Sequence, residues 1–261
     1  MINDNLHKKP VALDRVKHRA TRLDTGLRDM KLVNSLNAFF VAGTEFVDAC
    51  RDYPVVWVHA GKDDAGKAQV APIAVFGLSA GDNLCVDGDN WRVRYVPAMI
   101  RLYPFALARV AANEMLVVID EAWAGLGDEG EALFQPDGTA TEFTANIQKQ
   151  LEQFETEVER TKLAGSLLLE KGLLHDMRFD ATMPGGHKVS VDGFLTVDEA
   201  KLAALSDADM LALARNGVLG LIHAHQISLG NMARLADWHV ERVAQAAQAT
   251  ATAAAPAVTA G

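Results

Sequence analysis

Eight histidines and two cysteines are the residues best able to hold a metal or act in acid–base or nucleophilic chemistry. Their spacing argues against most of that chemistry. There is no HExxH pair and no HxD-type facial-triad spacing. His223 and His225 stand two apart on an expected helix, so they point about 200° apart and cannot chelate one ion. Cys50 and Cys85 have no CxxC or Cys/His ligand spacing and read as reduced, largely buried thiols. A disulfide between them requires the fold to bring them together. The expectation is no metal and no cofactor. His225 and Ser228, three apart on one helical face, have the spacing of a base–nucleophile pair. No GxSxG elbow or oxyanion loop accompanies them, so a packing histidine bonded to a neighbouring backbone is the competing reading. No catalytic residue is assigned.

Binding chemistry is better represented. Arg92, Arg94 and Arg101 flank Tyr95 and Tyr103 in a segment that also carries Trp91. Guanidinium groups beside aromatic rings suit an anionic ligand or a peptide carboxylate. The ordinary alternative is surface pairing with the many Asp and Glu residues. Gly77, Gly81 and Gly88 make neither GxGxxG nor GxxxxGK[ST], so a phosphate loop is unsupported. The candidate ligand-binding residues are Trp91, Arg94, Tyr95, Arg101 and Tyr103, with His18, His225 and Ser228 from elsewhere in the chain. A dispersed enzyme site of His18, Tyr103, His225 and Ser228 is the alternative.

These residues must be positioned by the elements around them. Val75–Val110 alternates apolar runs with turn residues, and Pro97 and Pro104 bracket a short helix that carries Arg101 and ends at Tyr103. Asp87–Gly88–Asp89–Asn90 signals a turn before an expected strand Trp91–Val96. Pro10–Leu23 reads as an extended edge segment and Val33–Val41 as strand. Thr44 is the expected N-cap of a helix Glu45–Tyr53 that Pro54 stops. Val55–Ala60 with Ala71–Leu78, and Phe105–Val110 with Glu114–Asp120, form expected hairpins, the second turning at Ala112–Asn113.

The second half is helical. From Thr141 to about Lys171, Phe143, Ile147, Leu151, Phe154 and Val158 draw one apolar stripe. Strands Asp176–Phe179 and His187–Val191 flank a Pro184–Gly185–Gly186 turn. Thr196 with Glu199 reads as a capping box, and Ser206 caps the next helix. Val218 to about Ala244 reads as one last helix, weakened by Gly220 and Gly230. The expectation is an α+β fold: antiparallel hairpins in the N-terminal half, and two long helices with short helices in the C-terminal half. It forms a single domain over 1–245, followed by a disordered Ala-rich tail over 246–261. The two striped helices can be buried within one subunit or against a second copy, and a homodimer is expected.

Composition narrows the partners. The net charge of −9 argues against nucleic acid, whose phosphates need a Lys/Arg excess, and against anionic membrane surfaces. No apolar run approaches the roughly 20 residues of a membrane span. The first residues, MINDNLHKKPVALDRV, show no apolar signal region, so the expected compartment is the cytoplasm.

Four stretches together resemble the SapC family of bacterial proteins over about residues 7–237. They are PVALDRVKHRATRL, FVDACRDYPVVW, FGLSAGDNLCVDGDNWRVRYVPAMIRLYPFAL and GFLTVDEAKLAALSDADMLALARNGVLGLIHAHQISLGNMARL. The YVPAxxRxYPF piece is the most specific. The resemblance implies an association with a surface protein coat but supplies no catalytic residues to carry over. The expected function is therefore a non-catalytic binding or accessory protein for a peptide, protein or small molecule, linked to surface-layer or peptide/protein modification systems. The dispersed-site enzyme and a structural coat component, which would be surface-associated, are the alternatives.

Overall fold

The computed structural model describes residues 2–27, 30–111, 114–182 and 188–254. The first half holds β1 (Pro10–Ala12), β2 (Arg22–Leu23), β3 (Ala38–Phe40), α1 (Phe46–Asp52), β4 (Val55–Lys62), β5 (Ala68–Val75), β6 (Val86–Asp87), β7 (Asn90–Trp91), α2 (Ala98–Leu102), β8 (Phe105–Ala111) and β9 (Glu114–Asp120). There follow β10 (Leu126–Gly127), β11 (Glu131–Ala132), α3 (Glu142–Glu170), β12 (Leu174–Thr182), β13 (Lys188–Val197), α4 (Glu199–Ala203), α5 (Asp207–Arg215), α6 (Val218–Ser228) and α7 (Asn231–Ala254). The expected turns at Ala112–Asn113 and Pro184–Gly185–Gly186, together with His187 and the tail residues 255–261, lie outside the described residues.

The fold is α+β, with antiparallel sheets and helices concentrated in the C-terminal half. The main sheet runs β12-β13-β4-β5-β3, and a smaller one runs β1-β9-β8. Two apolar clusters follow from this division. Trp57, Phe46, Tyr53, Phe76 and Leu84 centre the first, whereas Phe105, Leu107, Ile119, Trp123 and Leu133 centre the second.

Helix α3 is the spine between them. Its apolar stripe buries Leu151, Phe154 and Val158 in the second cluster, then Ala164 and Leu168 in the first. Thr141 caps it by accepting from the Thr144 N–H. Gly165 lets it sit close on the main sheet: a Cβ there would lie 3.0 Å from both Val70 Cγ2 and Val70 O.

Several expected elements are corrected. Only Trp91 of the expected strand Trp91–Val96 pairs in a ladder, with Val86. The N–H groups of Arg94 and Tyr95 instead donate to Asp52 Oδ2, at 3.1 and 2.8 Å. Thr44 caps no helix, because it lies inside the 3-10 turn Gly43–Glu45. There the Ala42 N–H is taken by Glu45 Oε2 and the Gly43 N–H by Thr161 Oγ1. Thr196 belongs to β13, and Asp198 caps α4. The expected helix from Val218 breaks at Leu229–Gly230, and α7 runs on to Ala254. Pro10–Leu23 splits into two short strands around a run of turns.

Candidate functional site

The segment 89–105 forms one wall of a cleft of about 610 Å³ where the two apolar clusters meet. Trp91, Arg94, Arg101 and Tyr103 line it, with Leu6, Leu32, Ile100, Trp123, Phe143 and Ile147 supplying its apolar surface. A pocket of this size and lining is of the ordinary kind for small ligands. Asp24, Thr25, Asp89 and Asn90 add exposed polar groups to the lining.

Trp91 and Tyr103, which line the cleft, and Tyr95, which lies behind it and is not in the lining, are each held by a buried polar partner. Trp91 Nε1 donates to the Tyr53 hydroxyl at 2.6 Å, and the Tyr53 hydroxyl donates to the Tyr95 carbonyl. Burial pushes the Tyr53 pKa up, so it remains a neutral donor. Phe76 packs edge-on against Trp91 at 5.4 Å. Tyr95 donates its hydroxyl to Glu45 Oε1 at 2.7 Å, and the same oxygen accepts the Ala98 N–H at 2.8 Å, anchoring the start of α2. Burial raises the Glu45 pKa against these hydrogen bonds and against the nearby Arg101 charge.

Tyr103, at the end of α2, donates to Asp120 Oδ2 at 2.9 Å and packs edge-on against Trp123. Asp120 also accepts the N–H groups of Lys8, Lys9 and Ala122. Burial works to raise its pKa, but these donors outweigh it and hold the carboxyl below its usual range. Asp120 therefore ties the N-terminal segment, β9 and the Tyr103 wall together.

The guanidinium groups stand apart from this closed network. Arg101 donates Nε–H to the Val96 carbonyl at 3.0 Å and lies over the Tyr95 ring, 5.6 Å from its centroid. Neither Arg94 nor Arg101 forms an ion pair with a carboxylate among the described residues, although the chain carries 34 acidic residues. Arg92, by contrast, is spent on Glu241 and on the Trp238 ring.

The remaining candidates lie elsewhere, in separate networks. His18 is buried, takes the Asp14 N–H on Nδ1 at 2.9 Å and places Nε2 3.3 Å from Glu121 Oε1. Lys17 and Lys9 hold the Glu121 carboxyl at about 2. His225 and Ser228 are fully buried on α6. His225 Nδ1–H donates to the Val55 carbonyl at 2.7 Å, and Nε2 accepts from Thr196 Oγ1 at 2.8 Å and the Val197 N–H at 3.2 Å.

The register explains this position. β13 and β4 pair only at Leu195–Trp57, and two residues further along each strand Val197 would face Val55. The imidazole occupies that next rung and bonds both strands. Ser228 Oγ completes it, accepting the Val55 N–H at 2.9 Å and donating to its own helix at the His225 carbonyl. Burial depresses the His225 pKa to about 4. The i,i+3 spacing thus serves the sheet: His225 and Ser228 each bond Val55, and neither ring nitrogen takes the Ser228 hydroxyl.

The residues that secure the cleft, Asp52, Tyr53, Glu45 and Asp120, were not marked as site residues by any spacing. The nearest signal was the Tyr53–Pro54 pair at the end of α1. Among the described residues no group of three or more His, Cys, Asp or Glu side chains is placed to hold a metal ion, and no helix is long and apolar enough to cross a membrane. Cys50 and Cys85 are both free thiols, Cys85 buried.

The SapC family model matches residues 13–235, most of the chain and all of the cleft wall from Trp91 to Phe105. This chain belongs to the SapC family. No curated protein and no solved structure matches it.

Proposed function

We propose that this SapC protein is a non-catalytic binding or accessory protein that holds a small molecule or a short peptide in the cleft between Trp91, Arg101 and Tyr103. One observation carries the reading: the aromatic wall is pre-organised by buried partners, while Arg94 and Arg101 line the cleft without a direct ion pair among the described residues, Arg101 feeling only the buried Glu45 carboxylate nearby. Fixed aromatic rings with adjacent unpaired cations favour recognition, because little side-chain freedom is lost on binding. The geometry favours this over the dispersed enzyme site, since of His18, Tyr103, His225 and Ser228 only Tyr103 lines the cleft.

The same reading takes the protein to act in the cytoplasm, as an accessory to surface-layer or peptide/protein modification systems, and to pair with a second copy. Support for pairing lies in Leu163 of α3, which is 71% exposed beside a groove of about 740 Å³ lined by Leu167, Val218 and Leu221.

The test is native mass spectrometry of the protein purified from its own cells, followed by Arg101→Ala and Tyr103→Ala. A bound molecule retained by the wild type and lost from both folded variants is the expected result. Equal retention by the folded variants would refute the cleft as the site.

A further inference from the structure

Resting on the cleft reading, we infer that the ligand is an apolar monocarboxylate, with its carboxylate at Arg94 and Arg101 and its apolar body against Trp91, Tyr103 and Trp123. Charge decides the polar end. Both arginines line the cleft and both lack an ion-pair partner among the described residues, in a chain of net charge −9. The Nε–H of Arg101 is already spent on the Val96 carbonyl and its ring contact with Tyr95 limits where the guanidinium can go. A carboxylate matches the planar guanidinium fork, with hydrogen bonds strengthened by charge on both sides.

The rest of the lining decides the body. Beside the polar Thr25 and Asn90 it presents mostly aliphatic and aromatic side chains, and its tyrosine hydroxyl is committed to Asp120, so most of its contact surface favours an apolar body. The number of charges is limited too. Asp24 and Asp89 also line the cleft, and Asp24 Oδ1 is held in place by the N–H groups of Gly26 and Leu27. Each further negative group on the ligand adds repulsion from these carboxylates, while the first is offset by the two arginines.

Two sources share this chemistry: the free C-terminus of a short apolar peptide and the carboxylate of an acyl chain. Isothermal titration of the full chain with N-acetyl-Leu-Phe, its C-terminal amide, decanoate, decanol and decanedioate separates them. The expected result is that N-acetyl-Leu-Phe or decanoate binds, its uncharged counterpart binds at least about tenfold more weakly, and decanedioate binds more weakly than decanoate. Whichever acid binds identifies the source. The double variant Arg94→Gln/Arg101→Gln, exposed at both positions, should still melt in one cooperative transition. It should lose about tenfold or more for the acid and leave the uncharged counterpart unchanged.

Acid and uncharged counterpart binding equally well would overturn the carboxylate assignment while leaving the cleft as a binding site. No binding by either acid overturns the assignment as well. The broader reading then stands or falls on the molecule found in the native preparation.

Discussion

His225 shows how far a residue's role can sit from its spacing. Its ring is placed where a strand-to-strand rung between β4 and β13 would be, and it satisfies Val55, Thr196 and Val197 at once. Replacing it by alanine leaves these groups unpaired around a cavity, so His225→Ala should lose about 3 kcal/mol or more in denaturant unfolding. The pH dependence follows from the same burial. The folded pKa lies below the unfolded value, so the unfolded chain takes up the proton first as pH falls. Stability tied to His225 is complete above about pH 6.5 and is lost between there and about 4, by about 3 kcal/mol. Glu45 opposes this, since its raised pKa makes the folded state the better proton acceptor just above the usual carboxylate range. An NMR titration isolates the histidine: its ring signal should stay at the neutral position down to pH 5, and movement near 6.5 would contradict the buried geometry.

At the scale of elements, α3 organises both cores, and its closest approach to the sheet is at Gly165. A methyl group there would press on Val70 and Trp57, which are buried and cannot yield cheaply. Gly165→Ala should destabilise the protein by about 1–3 kcal/mol, read as a lower denaturant midpoint at unchanged slope. The long apolar stripe of α3 was legible in the chain because its 3.6-residue period depends only on local order. So were Ser206 as a cap and the hairpins β4–β5 and β8–β9. Thr44 and Thr196 were not legible as they stand. Their competitors, Glu45 with Thr161 and His225, come from distant positions or from a side chain whose direction depends on packing. The break between α6 and α7 had a signal in Gly230. What it accommodates is tertiary: the Asn231 side chain donates to the carbonyls of Cys50 and Tyr53 at the end of α1.

At the scale of the molecule, the cleft exists because two apolar clusters meet along α2 and α3. The proposed pairing of two copies also belongs to this scale. Sedimentation should give twice the 28.1 kDa chain mass, and Leu163→Glu should return it to one. A single-chain mass for the wild type would show that the exposed leucine does not serve pairing.

The chain by itself determined its class and family signature: α+β, with the YVPAxxRxYPF segment and its arginines and tyrosines marked as the place to look. Local periodicity, turn residues and prolines carry that much, because each acts within a few residues. Tertiary structure alone decided which marked residues share a cleft. Trp91, Arg94, Arg101 and Tyr103 come together on one wall, while His225 and Ser228 are drawn 170 or more residues back along the chain to bond Val55. That sorting depends on which buried polar groups lack a partner after the sheets form, a condition that no local spacing records.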